Sequence, residues 1–288
     1  MSLPLLSIIV VNWNTREVLR RCLESVQAET LTPFELWVVD NGSTDGSPEM
    51  VAADFPDVHL IANHENLGFA AANNQALVQA KGRYHLLLNS DTLVLDHALD
   101  RMVGFMENHP EVGAIGSRLL NADYTLQPSA HNFYSTLGSL VENKLVGLFW
   151  TQKKANTRFL SYWDHSSTRQ VDWVTGACLM VRQEVTETVG LLDESFFMYG
   201  EEIDWQMRMA KAGYPVWYLH AAEIIHLGGA SSARVPDRMR KQEYRSRQIL
   251  IDKHYGRVTR TIFRAKTALG IAFWQVLNGL RGRKVSWG

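Results

Sequence analysis

Tyr84–Thr92 reads YHLLLNSDT. Leu86, Leu87 and Leu88 form a short, uninterrupted apolar run, the pattern of a strand buried on both faces. Asn89, Ser90 and Asp91 follow at the point where such a strand leaves its sheet. In open α/β sheets, ligands gather outside the carboxyl ends of the strands. A carboxylate at that place, with oxygen-bearing neighbours, suits a hard divalent cation that also holds a diphosphate. The same residues favour turns for local reasons, because Asn, Ser and Asp side chains bond their own backbone. Recurrence of the pattern elsewhere in the chain decides between the two.

Upstream, Leu6–Asn12 (LSIIVVN), Phe34–Val39 (FELWVV) and Val58–Ala62 are of strand length and character. Between them, Arg16–Ala28 carries Val18, Leu19, Cys22, Leu23 and Val26 at helical spacing. Pro48–Phe55 predicts a short helix, Gly68–Ala80 an alanine-rich one, and Leu99–Asn108 a helix that Pro110 closes. Strands alternating with helices at this spacing predict βαβ units and a parallel sheet. Downstream, Gly113–Arg118 and Val171–Arg182 have strand character, and Val185–Gly190 predicts a short helix. Phe196–Gly200 predicts a loop and Glu202–Ala212 a helix with Ile203, Met207 and Ala210 on one face. Val216–Leu219 and Glu223–His226 predict short strands, while Asn121–Gln170 shows no period. The expected division is a nucleotide-binding half over residues 1–118, a substrate-binding half over 119–230, and a basic helical extension over 231–288.

The chain has 288 residues, 46% hydrophobic and 20% charged, enough for one large α/β domain with an extension. A net charge of −1 points to no nucleic-acid partner. Cys22 and Cys178 make neither a disulfide framework nor a metal pair, which fits a reducing compartment. No secretory signal pattern opens the chain, and no apolar run reaches the ~18 residues of a membrane span. These readings predict a cytoplasmic protein. After Asp252, however, there is no acidic residue, and Lys253, Arg257, Arg260, Arg264, Lys266, Arg281, Arg283 and Lys284 flank the apolar, aromatic TALGIAFWQVLNGL. A basic segment with an apolar stripe suits the interface of an anionic membrane, so the tail is expected to hold the protein at the inner membrane face. Packing of the tail on the domain is the alternative.

Asp40 ends the second strand as Asp91 ends the fourth, so both carboxylates fall at one edge of the sheet. An Asp there can accept a hydrogen bond from the ring N–H of uracil or thymine. Gly68 opens a helix and lets a ligand approach closely. In FFMYGEEIDWQMR (Phe196–Arg208), Glu201, Glu202 and Asp204 crowd the first turn of a helix. The helix dipole alone favours acids there, but crowded carboxylates after an aromatic loop also suit a general base, because like charge and burial raise a pKa toward neutrality. His226, in IIHLGG, follows the last strand, where its ring can reach a metal or a diphosphate.

Taken together, SIIVVNWN, VVDNGSTDGS, ENLGFAAANNQAL, LLLNSDT, WVTGACLMVR, FFMYGEEIDWQMR and IIHLGG resemble, in order, the inverting family 2 glycosyltransferases of the GT-A fold, and within them the bacterial rhamnosyltransferase-like enzymes. The resemblance spans about Leu6 to Gly229. It implies an α/β fold with a Rossmann-like, mostly parallel central sheet flanked by helices, followed by the C-terminal helical extension. It implies Asp40 as the pyrimidine ligand, Asn12 and Asn14 bordering the nucleotide, and Gly68 closing on the base. Asn89, Ser90 and Asp91 would face the donor, with Asp91 and His226 on a divalent cation, Mg²⁺ or Mn²⁺. Glu202 takes the place of the catalytic base, with Glu201 and Asp204 as acidic neighbours. Arg247 and Lys253 are expected, from position alone, to add positive charge at the diphosphate. The implied donor is a nucleoside-diphosphate sugar, dTDP-L-rhamnose first and a UDP-sugar second, and the implied acceptor a surface glycan or polyprenyl-linked sugar.

Two positions depart from the family pattern. Asn89 stands where the D-x-D motif has its first Asp, and Glu202 stands where Asp is the usual base. The processive Q-x-x-R-W motif is missing, which implies one sugar per encounter. A sugar-nucleotide pyrophosphorylase would need a glycine-rich basic loop after the first strand, where this chain has NWNTREV. A catalytically weak sugar-nucleotide-binding protein is the remaining alternative, and the presence of Asp91 and Glu202 argues against it.

Overall fold

The computed structural model describes residues 4–133, 163–228 and 236–265, without the side chains of 236–240. Successive residues of its central strands enter different cores, as the period-two geometry of a strand requires. In β1 (Leu6–Asn12), β2 (Phe34–Asp40) and β4 (Tyr84–Asn89), the residues Ile8, Val10, Val38, Leu86 and Leu88 pack into one apolar layer. Ile9, Trp37, Val39 and Leu87 pack into the other. The first layer is covered by α1 (Arg16–Glu29), α2 (Ser47–Asp54) and α4 (Ala98–Asn108). The second is covered by α3 (Phe69–Leu77), α5 (Gln183–Val189) and α6 (Glu201–Lys211). Both faces being dry is why three leucines can follow one another in β4.

One sheet runs through both expected halves. β3 (His59–Ala62), β2, β1 and β4 lie side by side and parallel. β11 (Cys178–Arg182) then enters antiparallel between β4 and β6 (Ala114–Leu120). β12 (Val216–His226) runs parallel to β6, with β5 (Thr92–Val94) on its far side. The two strands expected over 216–226 are therefore one, interrupted by a register shift between Leu219 and Glu223. Strands β5, β7 (Leu126–Gln127), β8 (Ala130–His131), β9 (Arg169–Val171) and β10 (Trp173–Val174) are two or three residues long. Runs of that length are too short to show a period in sequence.

The register sets the site. Asn12 pairs with Asp40 across β1 and β2, and Val11 pairs with Asn89 across β1 and β4. The Asn89 N–H donates to the Ala177 carbonyl at 3.0 Å, which brings the segment before β11 to the same edge. At the opposite end of β11, buried Arg182 donates to the carbonyls of Met106, His109 and Val112 at 2.8–3.1 Å. These carbonyls lie at and beyond the end of α4, where a cation is favoured.

α7 (Pro236–His254) packs Leu250 and Ile249 against Phe196, Ile203 and Met207, so this helix of the extension lies on α6. The aromatic stretch expected at the membrane, Thr267–Leu280, lies outside the described residues, as does most of Asn121–Gln170. Among the described residues, no helix is long and apolar enough to cross a membrane.

His85, in β4, is buried with neither ring nitrogen hydrogen-bonded. Burial pulls its pKa from 6.5 to about 4, with the Glu35 carboxylate only partly opposing. The folded chain therefore refuses a proton that the unfolded chain accepts. Stability from this group is intact above 6.5 and is lost as the pH falls from 6.5 toward about 4. His131 is shifted the same way, to about 4. His85→Leu is expected to flatten the fall in urea midpoint over that window; an unchanged slope would refute the assignment.

Candidate active site

At the carboxyl edge of β1, β2 and β4 opens a cavity of about 320 Å³. Asn12, Asn89, Ser90, Asp91 and His226 line it, together with Glu201, Glu202, Thr175 and Gly176. The structure thus gathers seven of the sequence-selected residues around one space.

Asp40 sits one layer behind it. Its Oδ2 accepts from Asn12 Nδ2 at 2.8 Å and its Oδ1 from the Ser43 N–H at 2.8 Å. Each oxygen keeps a second acceptor lone pair. Asn12 is held further by its Oδ1, which accepts from the Thr15 hydroxyl at 2.6 Å. Asn14 has a left-handed backbone (φ 54°) and accepts the Thr44 N–H at 2.8 Å, so it shapes the 43–44 loop. Gly68 does not itself line the cavity but adjoins Phe69, which does, and packs closely against the loop before α6. A Cβ there would lie 2.3 Å from the Phe197 carbonyl oxygen, and the same oxygen accepts the Phe69 N–H at 2.7 Å. Its φ of +88° also demands glycine.

The loop before α6 is strained. Tyr199 (φ 68°) and Gly200 (φ 91°) are consecutive left-handed residues, and Tyr199 has no glycine freedom. Ser246 of α7 helps hold this turn by donating to the Met198 carbonyl at 2.7 Å. The turn delivers Glu201 and Glu202 to the cavity. Glu202 Oε2 accepts the Gly200 N–H at 3.0 Å. Burial raises the Glu202 carboxyl above its usual value, and the surrounding backbone N–H groups of Glu202, Gly200 and Ile203 oppose this only in part. Glu201 is 4% exposed, and its Oε2 has no hydrogen-bond partner. Burial, and then the charge of Glu202, raise it well above the ordinary carboxyl range. The pair therefore holds one negative charge more readily than two.

In the same cavity, His226 Nε2 lies 3.2 Å from Asp91 Oδ1 and 3.3 Å from Asn89 Nδ2. In the neutral ring whose proton is on Nδ1, two acceptors face each other across that gap. A cation between them resolves the repulsion, so the donor set fits a hard or borderline divalent ion. Among the described residues, no group of three or more His, Cys, Asp or Glu side chains forms a metal site. Two protein ligands still suit an ion completed by substrate phosphate and water.

Asp204, Lys253 and Arg247 are placed elsewhere. Asp204 is fully buried and accepts from His254 at 2.6 Å, Lys253 at 2.8 Å and Arg208 at 2.9 Å. Burial alone would raise its carboxyl, but Lys253, His254 and Arg208 outweigh that and hold it below the usual range. Lys253 spends its remaining reach on Asp193, at 2.5 Å. Arg247 pairs with Glu243 one turn away on α7, at 3.2 Å. None of the three lines the cavity.

A family-wide sequence comparison matches residues 7–190 to glycosyl transferase family 2. The chain belongs to that family. A Mycobacterium tuberculosis N-acetylglucosaminyl-diphospho-decaprenol L-rhamnosyltransferase is 29% identical over 263 residues, covering 87% of this chain and 85% of the relative. The O-antigen biosynthesis protein RfbC of Myxococcus xanthus is 30% identical over 243 residues, which is 79% of this chain and 18% of that protein. Among solved structures, the mannosyltransferase PcManGT of Pyrobaculum calidifontis, in complex with GDP-Man and Mn²⁺, superposes with a TM-score of 0.56 at 16% identity, over 97% of this chain and 85% of that one. Residues 1–349 of S. aureus TarS superpose with a TM-score of 0.52 at 17% identity, over 85% and 69%. The fold is GT-A, and the protein is a family 2 glycosyltransferase with a rhamnosyltransferase among its relatives.

In this family 2 transferase the cavity also takes Trp13, Asn66 and Tyr199, which the sequence reading passed over. Trp13 lies between the selected Asn12 and Asn14, so its position was visible although its role was not. The Asp204 cluster yields a discriminating prediction. Asp204→Asn removes the charge that Lys253, Arg208 and His254 share and is expected to cost about 1–3 kcal/mol in urea unfolding, while donor affinity stays within a few-fold. Lost donor binding in a variant of normal stability would place Asp204 in the site instead.

Proposed function

We propose that this transferase moves one sugar per encounter from a nucleoside-diphosphate donor to an acceptor hydroxyl, by a single displacement that inverts the anomeric carbon. The observation that carries the reading is the convergence, on one cavity, of the Glu201–Glu202 pair with Asn89, Asp91 and His226. Trp13 offers an aromatic face for the base, and the Asn12–Asp40 pair offers acceptors for a pyrimidine ring N–H. Ser90, with its hydroxyl 3.2 Å from that of Thr15, and Asn89 border the donor beside Asp91. Mg²⁺ or Mn²⁺ held by Asp91 and His226 would supply positive charge at the diphosphate as it leaves. Glu202, raised above the ordinary carboxyl value yet kept ionisable by the Gly200 N–H, takes the proton from the acceptor hydroxyl. Glu201 keeps its own proton and can donate a hydrogen bond to a sugar hydroxyl.

The donor best supported is dTDP-L-rhamnose, from the likeness to the mycobacterial L-rhamnosyltransferase, with UDP-sugars second. That relative's decaprenyl-diphosphate acceptor supports a polyprenyl-linked or surface-glycan acceptor here. A lipid-linked acceptor in turn supports a cytoplasmic protein whose basic tail meets the inner membrane face.

Glu202→Gln is expected to lower kcat by about 10²–10⁴-fold, with donor affinity within a few-fold of the unsubstituted enzyme. In the unsubstituted enzyme, the acid limb of kcat is expected above the ordinary glutamate value of 4.5. Near-normal turnover by the variant, with donor binding intact, would remove Glu202 from the role.

A further inference from the structure

The cation reading leaves one question, namely which nitrogen of His226 carries the proton. Only a ring protonated on Nδ1 presents Nε2 as a lone pair toward Asp91. A row of hydrogen bonds in the β6–β7 hairpin answers it, and each bond fixes the direction of the next.

The row begins at Asp123, exposed in the turn. The Thr125 hydroxyl lies 2.5 Å from its Oδ1, and that bond holds the carboxyl below its usual range. An ionised carboxylate only accepts, so the single hydroxyl proton of Thr125 points at Asp123. Thr125 Oγ1 can then only accept from its other neighbour, and Asn121 Nδ2 donates to it at 2.9 Å. This fixes the Asn121 amide, whose Oδ1 accepts from Gln127 Nε2 at 3.0 Å. Gln127 Nε2 also donates to the His226 carbonyl at 3.3 Å, so two acceptors agree on which end of the Gln127 amide is nitrogen. Gln127 Oε1 is left facing His226 Nδ1 at 2.6 Å. An amide oxygen only accepts, so the ring proton must be on Nδ1.

We propose that Gln127 is a positioning residue that fixes the His226 proton on Nδ1, leaving Nε2 as the unprotonated nitrogen facing Asp91, where a divalent cation would replace the Asn89 amide as its partner, and that Asn121, Thr125 and Asp123 set its direction. The proposal rests on the reading of Asp91 and His226 as cation ligands. A ligand histidine whose other nitrogen is so held is oriented and made more basic. Gln127 makes this bond from a two-residue strand.

The test uses the full chain, with Gln127→Leu and Gln127→Glu. Long-range ¹H–¹⁵N correlation of the metal-free protein in mildly alkaline buffer assigns the tautomer of neutral His226. Mn²⁺ titration followed by electron paramagnetic resonance, with thymidine diphosphate present, reads cation affinity. The expected result is an Nδ1–H ring in the unsubstituted protein. Gln127→Leu should lose that preference and weaken Mn²⁺ binding about 10–100-fold. Gln127→Glu should restore both, since a carboxylate also accepts from Nδ1–H, and this separates positioning from mere folding. An Nε2–H ring in the unsubstituted protein, or a Leu variant with unchanged tautomer and affinity, would overturn the inference. An intact Nδ1–H ring in a chain that binds no Mn²⁺ would overturn the cation reading, and the proposed role with it.

Discussion

The hydrogen-bonded position of β4, parallel to β1 on one side and antiparallel to β11 on the other, is the constraint on which the site depends. Parallel pairing with β1 puts Asn89 and Asp91 at the edge where Asn12 and Asp40 end their own strands. Antiparallel pairing with β11 makes the segment before that strand, Thr175–Ala177, arrive at the same edge. Because side chains alternate along a strand, a one-residue slip of β4 would move Leu86 and Leu88 to the wrong core and Asn89 to the wrong side. Apolar packing on both faces is therefore what fixes the polar geometry.

The second half of the site is held differently. Glu201 and Glu202 are not at a strand end but at the start of α6, reached through two left-handed residues. Such a turn costs free energy and persists only when its surroundings over-determine it. The Phe197 carbonyl seated against Gly68, the Ser246 hydroxyl on the Met198 carbonyl, and the Asp204 cluster all bear on this short stretch. The C-terminal helix α7 is in this sense part of the catalytic scaffold. Both halves line one cavity, the carboxylate pair from the start of α6 and Asp91 with His226 from the edge of the sheet.

Much of this was legible in the sequence because it is written in long apolar runs and dense turn motifs. Leu86–Leu88 and the VVDN segment announce buried strands with polar ends, and FFMYGEE announces a loop feeding an acidic helix start. What stayed illegible depends on contacts distant in sequence. Nothing local distinguishes Asp204 from Glu202, two positions earlier; the difference is that His254 and Lys253 reach Asp204 from a helix about fifty residues on. Lys253 read as a donor ligand for the same reason, its charge being visible and its partners not. Gln127 lay in a stretch without period, on a strand of two residues. Its function follows from the direction of hydrogen bonds, which composition and spacing do not record.

If the edge formed by Asp91 and His226 holds the diphosphate of the donor with its cation, anomalous diffraction at the manganese edge, from crystals grown with Mn²⁺ and thymidine diphosphate, will show it. The expected result is one peak between Asp91 and His226 Nε2, at metal-ligand distance from both (about 2.0–2.3 Å), with diphosphate oxygens completing the shell. A nucleotide bound at this edge with the manganese peak elsewhere, or with none, would contradict it.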